Sequence, residues 1–202
     1  MTRGRPREHQ PDALLDHARA LWVEHGATGV TMRALSARAG AGNGVLYNAF
    51  GSRSNLLALV WVREAVAFLR YQRDLVDAAV LADGPGEGVA VAALSLATYA
   101  RTNPEAARLL LAVDAKDLLS GNVGADERNE VERLRLELGD LITGLAEQLW
   151  QRTDRRAVAL VRICVVDLPG KLLLSADRLD STLAHHALRE AVRGITSAAP
   201  PT

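Results

Sequence analysis

Apolar residues return every three to four positions along almost the whole of this 202-residue chain, and no stretch alternates β-branched and polar residues as a half-buried strand would. That periodicity restricts the chain to an all-α fold. Turn residues then divide it into about nine helices. The first is expected from Pro11 to His25, with Leu14, Leu15, Ala18, Leu21 and Trp22 on one face and Gly26 as its stop. Two short helices follow, one capped by Thr31 and closed by Gly40, the other running from Gly42 to Phe50. A long fourth helix runs from Arg53 or Ser54 to about Leu81, ended by an expected loop at Asp83-Gly84-Pro85-Gly86-Glu87-Gly88. Five more are predicted: Val89 to Arg101; Asn103-Pro104 to a stop before Gly121; Asp126 to Arg152; Arg155 to Ser175 with a kink at Pro169-Gly170; and one opened by Asp180 or Ser181.

Composition bounds the function classes. The 49 % hydrophobic content is enough to bury a full core, while no apolar run reaches the roughly 18 residues of a membrane span. Met1-Thr2-Arg3-Gly4-Arg5-Pro6-Arg7 leads into no apolar signal core, so the expected location is the cytoplasm and no membrane partner is expected. A single cysteine, Cys164, sits in an apolar run and reads as a small buried hydrophobe. Net charge is zero, but residues 1–53 carry seven arginines against Glu8, Asp12, Asp16 and Glu24, a balance of +3 that leaves −3 for the rest. Positive charge is therefore gathered where the three short helices lie.

Three helices with a glycine-containing turn between the second and third suit a helix-turn-helix, whose later helix enters the DNA major groove. The segment from Thr31 to Arg53, TMRALSARAGAGNGVLYNAFGSR, resembles the N-terminal signature of the TetR family. Thr31, Ala39-Gly40, Gly44, Leu46-Tyr47, Phe50, Ser52 and Arg53 stand at matching positions, and Gly26 to Val30 and Leu56-Leu57 extend the match. Two positions depart from it. Gly42 stands where the family has a serine or threonine cap, and Ala49 where a histidine touches phosphate.

Side-chain reach then assigns roles within the reading helix and its neighbours. Thr31, Tyr47 and Arg53 are expected on backbone phosphates, fixing register, while Arg33 can pair with guanine, Asn48 with adenine, and the Val45 methyls with thymine. Asn43 and Gly44 let the helix approach closely. Arg3-Gly4-Arg5-Pro6 matches an AT-hook core, so Arg3, Arg5 and Arg7 are expected to track a narrow minor groove. Leu35, Ala39, Leu46 and Phe50 are assigned to the core.

The resemblance implies a DNA-binding domain at residues 1–53 and a regulatory, dimerising domain at 54–202. It further implies a homodimeric transcriptional regulator on double-stranded operator DNA, a repressor released by a small-molecule effector. A helical ligand- or partner-binding protein that has lost specific DNA binding is the alternative, with Gly42 and Ala49 as its support. Large side chains at helical spacing on the fourth helix, Leu57, Trp61, Ala65, Phe68 and Gln72, can line a cavity with Tyr99, Leu110, Asp114, Leu141 and Leu145. Trp61, Phe68, Tyr99 and Asp114 are the chosen ligand-lining residues. The last helix presents Leu183, Ala184, Ala187, Leu188 and Ala191 as a small-residue face for the dimer. No cofactor or metal is expected, because His185 and His186 would diverge by about 100° on a helix and His9, His17 and His25 complete no ligand set. No nucleophile or phosphate-loop motif is present in the sequence, so no enzyme is expected.

Overall fold

A computed structural model describes residues 11–113, 115–119, 121–173 and 178–201. All regular structure among them is helical: α1 (Pro11–Gly29), α2 (Met32–Ala39), α3 (Asn43–Phe50), α4 (Arg53–Asp83), α5 (Pro85–Ala100), α6 (Pro104–Ala112), α7 (Ala115–Leu119), α8 (Ala125–Trp150), α9 (Arg155–Arg162), a π-helical turn (Ile163–Asp167), α10 (Leu168–Leu173) and α11 (Thr182–Thr196). The chain forms two compact units. One takes the chain up to Arg63 together with Val113–Val131, the other Glu64–Ala112 together with Glu132 onward. No described helix is long and apolar enough to cross a membrane.

In the first unit, α1 packs on α2 and α2 on α3. Leu14, Ala18, Trp22, Val30, Leu35, Leu46, Phe50 and Leu56 are all buried there. Glycines set the breaks. Gly26 leaves helical geometry at φ +71°, which marks the expected stop within α1, and Gly40 closes α2 in the left-handed conformation at φ +64°. A short α7 and the residues up to Val131 also belong to this unit, where Val123 and Val131 are buried and the Gly124 amide donates to Asn55 Oδ1 at 2.8 Å.

The second unit is built around α5, which packs against α6, α10, α11 and the π-helical turn. Val89, Ala93, Ala97, Leu145, Val161, Cys164, Leu173, Leu188 and Val192 form one continuous core. Burial pushes the Cys164 thiol up to about 11, which favours its neutral form in the core. The loop expected at Asp83 to Gly88 contracts to Gly84 alone, at φ +87°, because Pro85 has no N–H to lose at the first helical position. Gly88 is helical. A Cβ there would lie 2.4 Å from Val80 Cγ2, so the missing side chain serves close approach of α5 to α4.

The predicted kink before Pro169-Gly170 takes a definite form. Pro169 cannot donate to the carbonyl one turn earlier, and the helix widens to a π turn over Ile163–Asp167, with the Leu168 N–H reaching the Ile163 carbonyl. Asp154 caps α9 by accepting from the Arg156 and Ala157 amides, and Ser181 caps α11 through the Ala184 amide.

Candidate nucleic-acid interface

The geometry of α2 and α3 begins at their caps. Thr31, extended at φ −122°, accepts the Ala34 amide through Oγ1 at 3.0 Å and starts α2. Ser36 Oγ donates to the Ala41 carbonyl at 2.7 Å, which fixes the turn from α2 into α3. Gly42 caps α3 with no side-chain hydrogen bond, as its lack of a hydroxyl requires.

Only Leu46 and Phe50 of α3 are buried, one turn apart on a single face. Everything else on the helix is exposed. Asn43, Gly44, Val45, Tyr47, Asn48 and Ala49 all face solvent, with Val45 46 % and Tyr47 54 % accessible. A valine and a tyrosine left open on the same eight-residue helix are surface that the protein's own core does not use. Thr31 and Arg33 are exposed as well, and Arg33 has no ion-pair partner among the described residues. Arg38, by contrast, forms a two-toothed bridge to Glu24 at 2.6 and 2.8 Å, joining α2 to α1. Its hydrogen bond holds the Glu24 carboxyl below the usual range. Arg53 directs Nε to the Val30 carbonyl and Nη2 to the Ala27 carbonyl, both at 2.5 Å. Arg3, Arg5 and Arg7 lie outside the described residues.

The remaining candidates are Trp61, Phe68, Tyr99 and Asp114. Trp61, in the first unit, is half-buried and its indole N–H is buried without a hydrogen-bond acceptor. In the second unit Phe68 and Tyr99 meet with ring centroids 5.5 Å apart, and Tyr71, which the sequence reading omits, packs on Tyr99 at 5.1 Å. Beside them Gln72, 3 % exposed, donates Nε2 to the Ala92 carbonyl and Ser95 Oγ, while its own Oε1 is buried with no donor. Asp114 lies outside the described residues. A separate cavity of about 210 Å³ is floored by Val76, Val80, Leu141 and Leu145 and edged by Arg73, Asp77 and Asp140. Neither Phe68 nor Tyr99 lines it.

On α11 the candidate dimer face divides. Leu183 is 75 % exposed, Ala187 is exposed, and Ala184 and Ala191 are half-buried. Leu188 corrects the expectation: it is fully buried in its own protomer's core beside Val192, so its side chain is not available to a second subunit. The five-residue apolar face is wide enough to serve two neighbours, and Leu188 goes inward. Among the described residues no group of three or more histidine, cysteine, aspartate or glutamate side chains is placed to hold a metal.

Three helices with a capped turn and an outward third helix define a helix-turn-helix protein. Residues 14–60 match the family described as bacterial regulatory proteins, tetR family. The all-α fold is shared with solved regulators of that kind. A TetR family transcriptional regulator, PfmR from Thermus thermophilus, is 18 % identical with a TM-score of 0.60, covering 90 % of this chain and 96 % of its own. A TetR-like transcriptional regulator from a Rhodococcus species is 18 % identical with a TM-score of 0.63, covering 95 % and 96 %. FadR from Bacillus subtilis, solved in complex with stearoyl-CoA, is 13 % identical with a TM-score of 0.63, covering 92 % and 96 %. No curated protein sequence matches the chain.

Proposed function

We propose that this chain is a ligand-responsive DNA-binding repressor, acting in the cytoplasm as a homodimer on operator DNA. The observation that carries the reading is α3: an eight-residue helix that buries only Leu46 and Phe50 and holds Val45, Tyr47, Asn43 and Asn48 open to solvent. Asn48 and Arg33 are the base-reading groups, Val45 meets a thymine methyl, and Tyr47 and Thr31 hold phosphate. Asn43 and Gly44, at the helix start, let the backbone come close. Arg3, Arg5 and Arg7 add minor-groove and phosphate contacts from the arm. Dimerisation through Leu183, Ala184, Ala187 and Ala191 pairs two such helices, doubling the bases read.

The effector we assign to the second unit is an apolar or aromatic molecule with a hydrogen-bond donor. Its support is the ring cluster of Phe68, Tyr71 and Tyr99 beside the unpartnered Gln72 Oε1, which gains from any donor brought to it. Binding of the effector lowers affinity for DNA.

Fluorescence anisotropy with a duplex enriched from a randomised library tests this function. Arg33→Ala and Asn48→Ala are each expected to relax preference at particular base pairs, by about 1 to 3 kcal/mol, whereas Tyr47→Phe weakens all sequences alike. Unchanged binding by all three variants contradicts the assignment of α3 as the reading helix.

A further inference from the structure

We infer that Arg53 is a positioning residue, whose guanidinium fixes the turn before α2 and thereby the pose of the helix-turn-helix, in place of the phosphate contact its position first implies. The inference rests on the DNA-binding reading given above.

Arg53 opens α4 immediately after the turn that ends α3, where Gly51 is left-handed at φ +67°. Its Nε and Nη2 form one edge of the planar fork, and both point back to the protein: Nε to the Val30 carbonyl, 23 residues away, and Nη2 to the Ala27 carbonyl, 26 residues away. Both acceptors belong to the segment beyond the Gly26 break in α1. The Ala27 carbonyl also accepts the Val30 N–H at 3.3 Å, and a cation is a favourable further partner for carbonyls at such an end. Val30 is completely buried and directly precedes Thr31, the cap of α2. The bridge therefore joins the start of α4 to the residue just before the α2 cap, and closes α2 and α3 between two tied ends.

Substitution by lysine separates this role from phosphate binding. A lysine offers a point charge that serves a phosphate but cannot reproduce two parallel donors from one edge. Val30 and Ala27 occupy one edge of the fork, and the exposed side chain keeps three further N–H donors.

The test uses the full chain with Arg53→Lys, Arg53→Gln and Arg53→Ala, a duplex enriched from a randomised library, and a salt series well below each variant's melting temperature. Amide hydrogen exchange of α2 is followed without DNA. The positioning role predicts that Arg53→Lys fails to restore affinity, binding about tenfold or more weakly, as expected for loss of a charge-assisted hydrogen bond. It also predicts an unchanged slope of log affinity against log salt, and faster exchange at Ala34. Arg53→Gln, which loses the charge as well as the fork, should exchange at least as fast as Arg53→Lys. A phosphate role predicts the reverse, with Arg53→Lys close to the parent, Arg53→Ala and Arg53→Gln losing about 1 from the salt slope, and exchange unaltered. Those results overturn the inference. If the parent enriches no duplex, the DNA-binding reading fails, while faster exchange in Arg53→Lys still establishes the bridge and unaltered exchange removes it. Should Arg53→Ala not fold, the lysine and glutamine variants carry the comparison.

Discussion

Leu188→Asp is expected to unfold the second unit, not to separate folded protomers. Leu188 is fully buried on α11 in one core with Val89, Val161 and Val192, so the substitution removes a packed side chain and places a carboxylate in an apolar core. Loss of the leucine alone costs about 3 to 5 kcal/mol in comparable cores, and an unpaired buried charge adds to that. A total of this size is a large share of the stability of an ordinary domain. Leu183→Asp provides the contrast. With Leu183 75 % exposed, its replacement should change stability by about 0.5 kcal/mol or less, yet it places a charge on the proposed dimer face. Urea denaturation and sedimentation together decide the matter. The account predicts an unfolded Leu188→Asp and a stable, monomeric Leu183→Asp. A folded Leu188→Asp with the parent's midpoint contradicts the packing of α11.

Leu46→Ala is expected to remove DNA binding through the local structure of α3. Leu46 is fully buried and shares the whole attachment of the helix with Phe50, so its truncation leaves a void at one of only two anchors. Leucine-to-alanine changes in such sites cost about 2 to 5 kcal/mol. An eight-residue helix cannot hold its own shape in water, because nucleation is costly and few hydrogen bonds repay it. Exchange of the α3 amides should therefore rise steeply while α5 and α11 in the other unit remain protected. Ala49→Ser, on the exposed side of the same helix, should leave exchange unchanged. Equal protection of α3 in Leu46→Ala and the parent contradicts this view of its anchoring.

What was legible in the sequence followed chemistry that acts over a few residues. Thr31, Asp154 and Ser181 mark helix starts because their oxygens accept nearby amides, and Gly26 and Gly40 mark stops because each adopts positive φ. Leu46 and Phe50 are readable as anchors from their spacing alone. Features that depend on distant partners were not legible. Gly88 looks like a loop residue until Val80 is seen against it, and Leu188 and Ala187 are adjacent apolar positions whose opposite fates depend on where α5 lies. Arg53 follows the same rule, since a positive charge next to the third helix gives no sign of carbonyl acceptors 23 and 26 residues earlier. Segment 113–131 carries no mark of membership in the first unit, and one link there is the Asn55 to Gly124 hydrogen bond.

The central claim is that α3 reads DNA sequence, and enrichment of the full-length protein's ligands from a randomised duplex library tests it most directly. The account predicts a sequence with two-fold symmetry, one half-site for each α3 of the proposed dimer, bound more weakly as salt is raised because phosphate contacts release counterions. Its preferred bases should lose definition in Asn48→Ala and Arg33→Ala. Failure of the parent to enrich any sequence above the starting library, at low salt and with the protein folded, would contradict it.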